Sequence, residues 1–157
     1  MHSTKPKKKQ IKLAIQTMTR RSFIPNRYYL QRWANKALIN RTALTALTIR
    51  LVNKKESAEL NLRFRRKRGP TNILSFPFEP PPEIYSPLLG DLVICAPLLN
   101  QEAKQQEKTR LAHWAHLLIH GCLHLVGYDH MNPKDAHKME TLEIQLLEEL
   151  GYDNPYI

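Results

Sequence analysis

The sequence predicts an α+β fold, with a four-stranded sheet assembled mainly from the first part of the chain and a helical carboxyl half. Three observations carry that prediction. Up to Pro97, short aliphatic and β-branched runs bounded by turn residues recur along the chain. Beyond Pro97 the apolar residues fall at helical spacing. Strands that come first and helices that come last favour α+β over a doubly wound sheet.

Residues 1–10, Met-His-Ser-Thr-Lys-Pro-Lys-Lys-Lys-Gln, have no apolar period and the composition of a disordered basic tail. Residues 11–157 read as one domain, large enough to bury a core without disulfides or a structural metal. Lys12 to Thr17 forms a first strand. Asn26 to Ile39 is an amphipathic helix whose Tyr29, Leu30, Trp33, Ala37 and Leu38 recur on one face and read as core. Ala46 to Val52 is a second strand. A short helix over Ser57–Phe64 leads into Arg63-Phe64-Arg65-Arg66-Lys67-Arg68-Gly69-Pro70, the densest cationic run of the chain.

Thr71 to Phe78 is strand-like, and Pro77 suits an edge or a strand end because proline donates nothing to a ladder. Glu79 to Leu89, with Pro80, Pro81 and Pro82, reads as a stiff loop. Gly90 to Pro97 is an apolar strand, buried on both faces and placed to pair with the strand before the loop. Leu98 to Val126 is helical, long enough to break near Thr109. Asn132 caps a last helix with Pro133 in its first turn; Leu142, Leu146, Leu147 and Leu150 form its core face, and Gly151 ends it.

The net charge of +10 is unevenly spread. Residues 1–70 hold nineteen Lys and Arg against two acids, whereas residues 71–157 hold five against twelve. Such asymmetry fits a polyanionic partner, nucleic acid or an anionic surface. No run of about 20 apolar residues is present and the lysine-rich start lacks a signal-peptide apolar region, so a soluble, cytoplasmic protein without a membrane partner is expected. Cys95 and Cys122 fit a reducing compartment and read as small core residues.

Six of the seven histidines lie between His113 and His137. His120 and His124, four apart, share one helix face, and Gly127 is suited to the left-handed turn that returns the chain and brings His130 to them. Three neutral imidazoles on a helix and the following turn make a zincin-like, metalloprotease-like metal site with an open fourth position, for which zinc is the usual ion. The metzincin pattern H-E-x-x-H-x-x-G-x-x-H is matched at every histidine and at the glycine, but Gly121 replaces the catalytic glutamate. Peptide hydrolysis by that route is therefore disfavoured, and a phosphodiester held by cations fits better. His113 and His116 read as walls of the cleft or an extension of the site, with His116 a partner behind the ligands. Asp129 reads as a carboxylate that orients a ligating ring, with a role as base or turn former as the alternatives. Tyr128 and Trp114 read as packing and His137 as surface.

Placed together, Phe64-Arg65, Pro70-Thr-Asn-Ile-Leu-Ser-Phe-Pro77, Gly90-Asp-Leu-Val-Ile94, His113-Trp-Ala-His116, the run from His120 to His130, and Gly151-Tyr152 resemble the YbeY family of endoribonucleases. That resemblance implies a mixed sheet flanked by helices, one zinc ion on His120, His124 and His130, and catalytic roles for these histidines and Arg65. It implies cleavage of single-stranded RNA, maturation of the 3′ end of 16S ribosomal RNA, and ribosome quality control with the small subunit as partner. Arg63, Arg66, Lys67 and Arg68 are expected to bind RNA. The long lysine-rich start and Arg68, where members often carry an acid, depart from the family and should strengthen phosphate attraction. Two other classes stay open: a metal-dependent hydrolase of another ester or amide, and a non-catalytic ribosome-associated RNA-binding protein.

Overall fold

A computed structural model describes residues 11–41 and 43–157; the basic segment read as a disordered tail lies outside them. In chain order the elements are β1 (Lys12–Thr17), α1 (Arg27–Ala37), β2 (Ala46–Val52), α2 (Lys54–Arg65), β3 (Ile73–Pro77), β4 (Leu88–Cys95), α3 (Ala96–Gln105), α4 (Arg110–Leu125) and α5 (Pro133–Glu149). The strands form one four-stranded sheet in the order β1-β2-β4-β3. β1 and β4 both run parallel to β2, and β3 is antiparallel to β4, so the sheet is mixed. Pro77 ends β3 on the sheet's edge, where its missing N–H leaves no ladder bond unmade.

Local chemistry sets the helix boundaries. Asn26, Asn53, Thr109 and Asn132 each accept a hydrogen bond from a first-turn N–H, at 3.3, 3.0, 3.1 and 2.9 Å. Asn53 explains why α2 starts three residues before the expected Ser57: its side chain caps the helix, so Lys54 opens the first turn. The long helical stretch does break at Thr109, which caps α4 after Glu107 has turned the chain at φ +55°. β4 begins at Leu88, inside the expected loop, because Ala46 of β2 pairs with it across the ladder and donates to the Pro87 carbonyl at 2.8 Å.

Strand alternation divides the core between the two faces of the sheet. Leu13, Leu47, Ile49, Leu51, Leu92 and Ile94 point to the face covered by α1, α3, α4 and α5, where Trp33, Trp114, Leu118 and Leu147 fill the interior. Val52, Leu74 and Val93 point the other way and pack with Leu60 of α2 and Phe76. Ten of the sixteen residues of α4 are buried, so this helix is the central post of the larger core. Cys95 and Cys122 are buried and unpaired, as expected of core residues. Among the described residues no helix is long and apolar enough to cross a membrane.

Candidate metal centre

The last turns of α4 carry His120 and His124 on the helix face left open by the core. After Leu125 the helix closes with the Tyr128 N–H on the Leu123 carbonyl (3.0 Å) and the Gly127 N–H on the His124 carbonyl (3.1 Å). That paired closure places Gly127 at φ +101°, a left-handed conformation that favours glycine. The reversed chain delivers His130 to the helical pair. Ring centroids lie 4.6 Å apart for His120–His124, 4.9 Å for His124–His130 and 5.6 Å for His120–His130.

One ring nitrogen from each histidine lies within 4.8 Å of the other two, a spacing that can hold a metal ion. The Nε2 atoms of His120 and His124 are 3.1 Å apart. Nitrogens bound about 2.0–2.1 Å from a tetrahedral zinc are separated by roughly 3.3 Å, so the pair matches that coordination. Their other ring nitrogens support the fit. His120 Nδ1 meets a carboxylate oxygen of Glu143, and His124 Nδ1 lies 3.0 Å from the Tyr128 carbonyl. Carbonyls and carboxylates only accept, so both Nδ1 atoms carry the hydrogen and both Nε2 lone pairs face each other. Neither can hydrogen-bond the other; a cation between them satisfies both. The His124 pKa is lowered by burial and by the charges of His120 and His130, which favours the neutral ring that a metal ligand requires.

Glu143 is the residue that sequence reasoning missed. It is fully buried on α5 and accepts from His120 and from the Tyr156 hydroxyl, while His116 Nε2 stands 3.5 Å from its second oxygen. Burial alone would raise its pKa, but the hydrogen bonds from His116, His120 and Tyr156 outweigh it and hold the carboxyl at about 2. A signal for it was present: Met139, Glu143, Leu146, Leu147 and Leu150 recur at helical spacing, and an acid inside an apolar stripe must have partners. Asp129, expected to orient a ligating ring, instead accepts from the His130 backbone N–H at 2.7 Å and so shapes the turn. His116 also meets the Tyr156 hydroxyl at 3.2 Å. His113 is buried against Glu102 (3.1 Å), Trp114 is buried, and His137 is exposed on α5, as expected of a surface residue.

The histidines open onto a cleft of about 680 Å³ between α4 and the edge strand β3. Its walls include Asn72, Ser75 and Phe76, and Arg65 from the end of α2 stands in it with His116, His120, His124 and His130. The sequence places Arg65 and His120 more than fifty residues apart; the antiparallel return of β3 beside β4 brings them to one cavity. Arg63, Arg66, Lys67 and Arg68 are exposed beside that end of α2 and do not line the cleft. At Gly121 an added Cβ would come within 2.6 Å of Ile73 Cδ1 and 2.9 Å of Leu92 Cδ2. The position a metzincin gives to its glutamate is here pressed against the sheet.

Two comparisons with known proteins agree with this arrangement. A family model described as endoribonuclease YbeY matches residues 7–151. The solution structure of a protein from Thermotoga maritima is similar over 87% of this chain and 88% of its own, with 24% identity and a TM-score of 0.58, a likeness of fold. The match over nearly the whole chain, joined to the histidine geometry, places this protein in the YbeY family of endoribonucleases.

Proposed function

We propose that residues 11–157 form a single catalytic domain that hydrolyses phosphodiesters of single-stranded RNA with one zinc ion on His120, His124 and His130. The observation that carries the reading is the shared cleft: a cationic guanidinium, Arg65, opens onto the same cavity as three imidazoles whose ligating nitrogens converge. When bound there, zinc supplies Lewis acidity toward a phosphate oxygen and makes water ionisable near pH 7.

The chain's own groups do the rest. Arg65 grips the scissile phosphate through paired N–H donors and offsets charge that grows as the bond breaks. Glu143 fixes the tautomer and the angle of His120, and His116 and Tyr156 fix Glu143 in turn. Arg63, Arg66, Lys67 and Arg68 draw the RNA backbone toward the cleft from outside it, with a salt-sensitive attraction. In this reading the biological substrate is precursor ribosomal RNA in the cytoplasm, with maturation of the 16S 3′ end and ribosome quality control on the small subunit as the processes served.

Purified protein incubated with single-stranded RNA, with and without a chelator, tests the proposal. Chelator-sensitive cleavage that is abolished in His124→Ala and cut at least about a hundredfold in Arg65→Ala is the expected result. Binding without cleavage would select the scaffold class, and cleavage by metal-free His124→Ala would refute the site.

A further inference from the structure

A second cationic face lies at the opposite edge of the sheet from the cleft. Before Glu56 the chain contains no acid at all, so whatever β1 and α1 expose is neutral or positive. On α1, Arg27, Tyr28, Gln31, Arg32 and Asn35 line a depression of about 500 Å³. Tyr28 is 65% exposed, whereas the neighbouring Trp33 and Leu30 of the same helix are buried, so its ring is not needed by the core.

Polar groups fasten this helix to the start of β1. Asn35 Oδ1 accepts from the Ile11 N–H at 3.1 Å, and Gln31 Nε2 donates to the Ile11 carbonyl at 2.7 Å and to Asn35 Oδ1 at 2.9 Å. Arg27 donates to the Leu13 carbonyl. Lys36, farther along α1, is committed to Glu149 at 2.6 Å, so the charge available to a ligand is concentrated toward Arg27 and Arg32.

We propose that this α1–β1 edge is a second RNA-contacting surface, in which Arg27 and Arg32 meet phosphates and Tyr28 stacks on an unpaired base. An exposed aromatic ring set between arginines, with amide groups beside it, is the combination that holds single-stranded nucleic acid without reading its sequence. A membrane surface fits less well, because a single tyrosine offers no apolar stripe to insert among lipid tails. β1 and β3 are the two edges of a four-stranded sheet, their axes about 14 Å apart by strand spacing, and the two surfaces share no lining residue, so only an RNA longer than the cleft engages both. The inference rests on the nuclease reading for the identity of the polyanion.

Tyr28→Ala combined with Arg32→Glu tests it, with Tyr28→Phe as the variant that keeps a ring. Binding of a long single-stranded RNA is measured over a range of salt, alongside cleavage of an oligonucleotide short enough to occupy the cleft alone. The double variant should bind long RNA at least about fivefold more weakly, with a salt slope shallower by roughly 0.7 for each phosphate that is no longer neutralised. Its kcat on the short oligonucleotide should be unchanged, and Tyr28→Phe should bind like the parent. Unchanged affinity and slope for long RNA would overturn the proposal, as would loss of binding to phosphatidylserine vesicles with RNA affinity intact. If the parent protein bound RNA but cut none, the nuclease reading would fail while the binding comparison still decided this surface.

Discussion

Replacing Glu143 by Gln probes the most heavily partnered group of the candidate metal centre. The carboxylate accepts from His120 and Tyr156 with no access to water, and Gln of similar volume keeps one acceptor while removing the charge. A pKa lowered from 4.5 to about 2 corresponds to about 3 kcal/mol of preference of the folded state for the ionised form. Because the folded value lies below the unfolded one, that stability is fully present above about pH 4.5 and is lost as pH falls toward 2. Metal-free Glu143→Gln should therefore be less stable than the parent by about 3 kcal/mol at pH 7, with the gap closing as pH falls from 4.5 toward 2. Loss of the group that sets the His120 tautomer should also weaken zinc binding by about ten- to a hundredfold. Urea denaturation at pH 7 and pH 3, with zinc titrated against a competing chelator, measures both effects. Equal denaturation midpoints at pH 7 together with unchanged zinc affinity would show that Glu143 neither stabilises the fold nor positions the ligand.

Other perturbations follow from the same geometry. Gly121→Ala should cost about 1–3 kcal/mol in urea denaturation, because the new methyl group meets Ile73 and Leu92 in a packed interior. Gly127→Ala should cost about 1–2 kcal/mol through its left-handed backbone and also reduce zinc affinity, since the turn it strains carries His130; a stability loss with zinc binding unaltered would separate the turn from the site. Burial pushes the Cys122 thiol up to about 12 and raises that of Cys95 as well, so neither should react with a thiol reagent at pH 8 until the protein is unfolded. Rapid labelling of the folded protein would contradict the packing of α4.

Periodicity and cap chemistry made most of the elements legible along the chain. β1 and β2 occupy the expected residues because their aliphatic alternation is local, and Thr109 breaks the long helix because its side chain competes for a first-turn N–H wherever it stands. The three histidines were equally legible, for i, i+4 spacing followed by a glycine turn constrains the backbone within a dozen residues. Elements whose limits depend on a distant partner were not: Leu88 joins β4 because Ala46 pairs with it. Glu143 becomes visible only when α5 packs behind α4, and the turn role of Asp129 only when the nearby carboxylate at His120 proves to come from elsewhere. Amino-acid order alone determined which side chains can ligate, cap and alternate, since these depend on neighbours a few residues away. Tertiary packing decided which carboxylate backs the three histidines and which arginine shares their cleft, because charges far apart in the chain acquire their partners only where helices and strands meet.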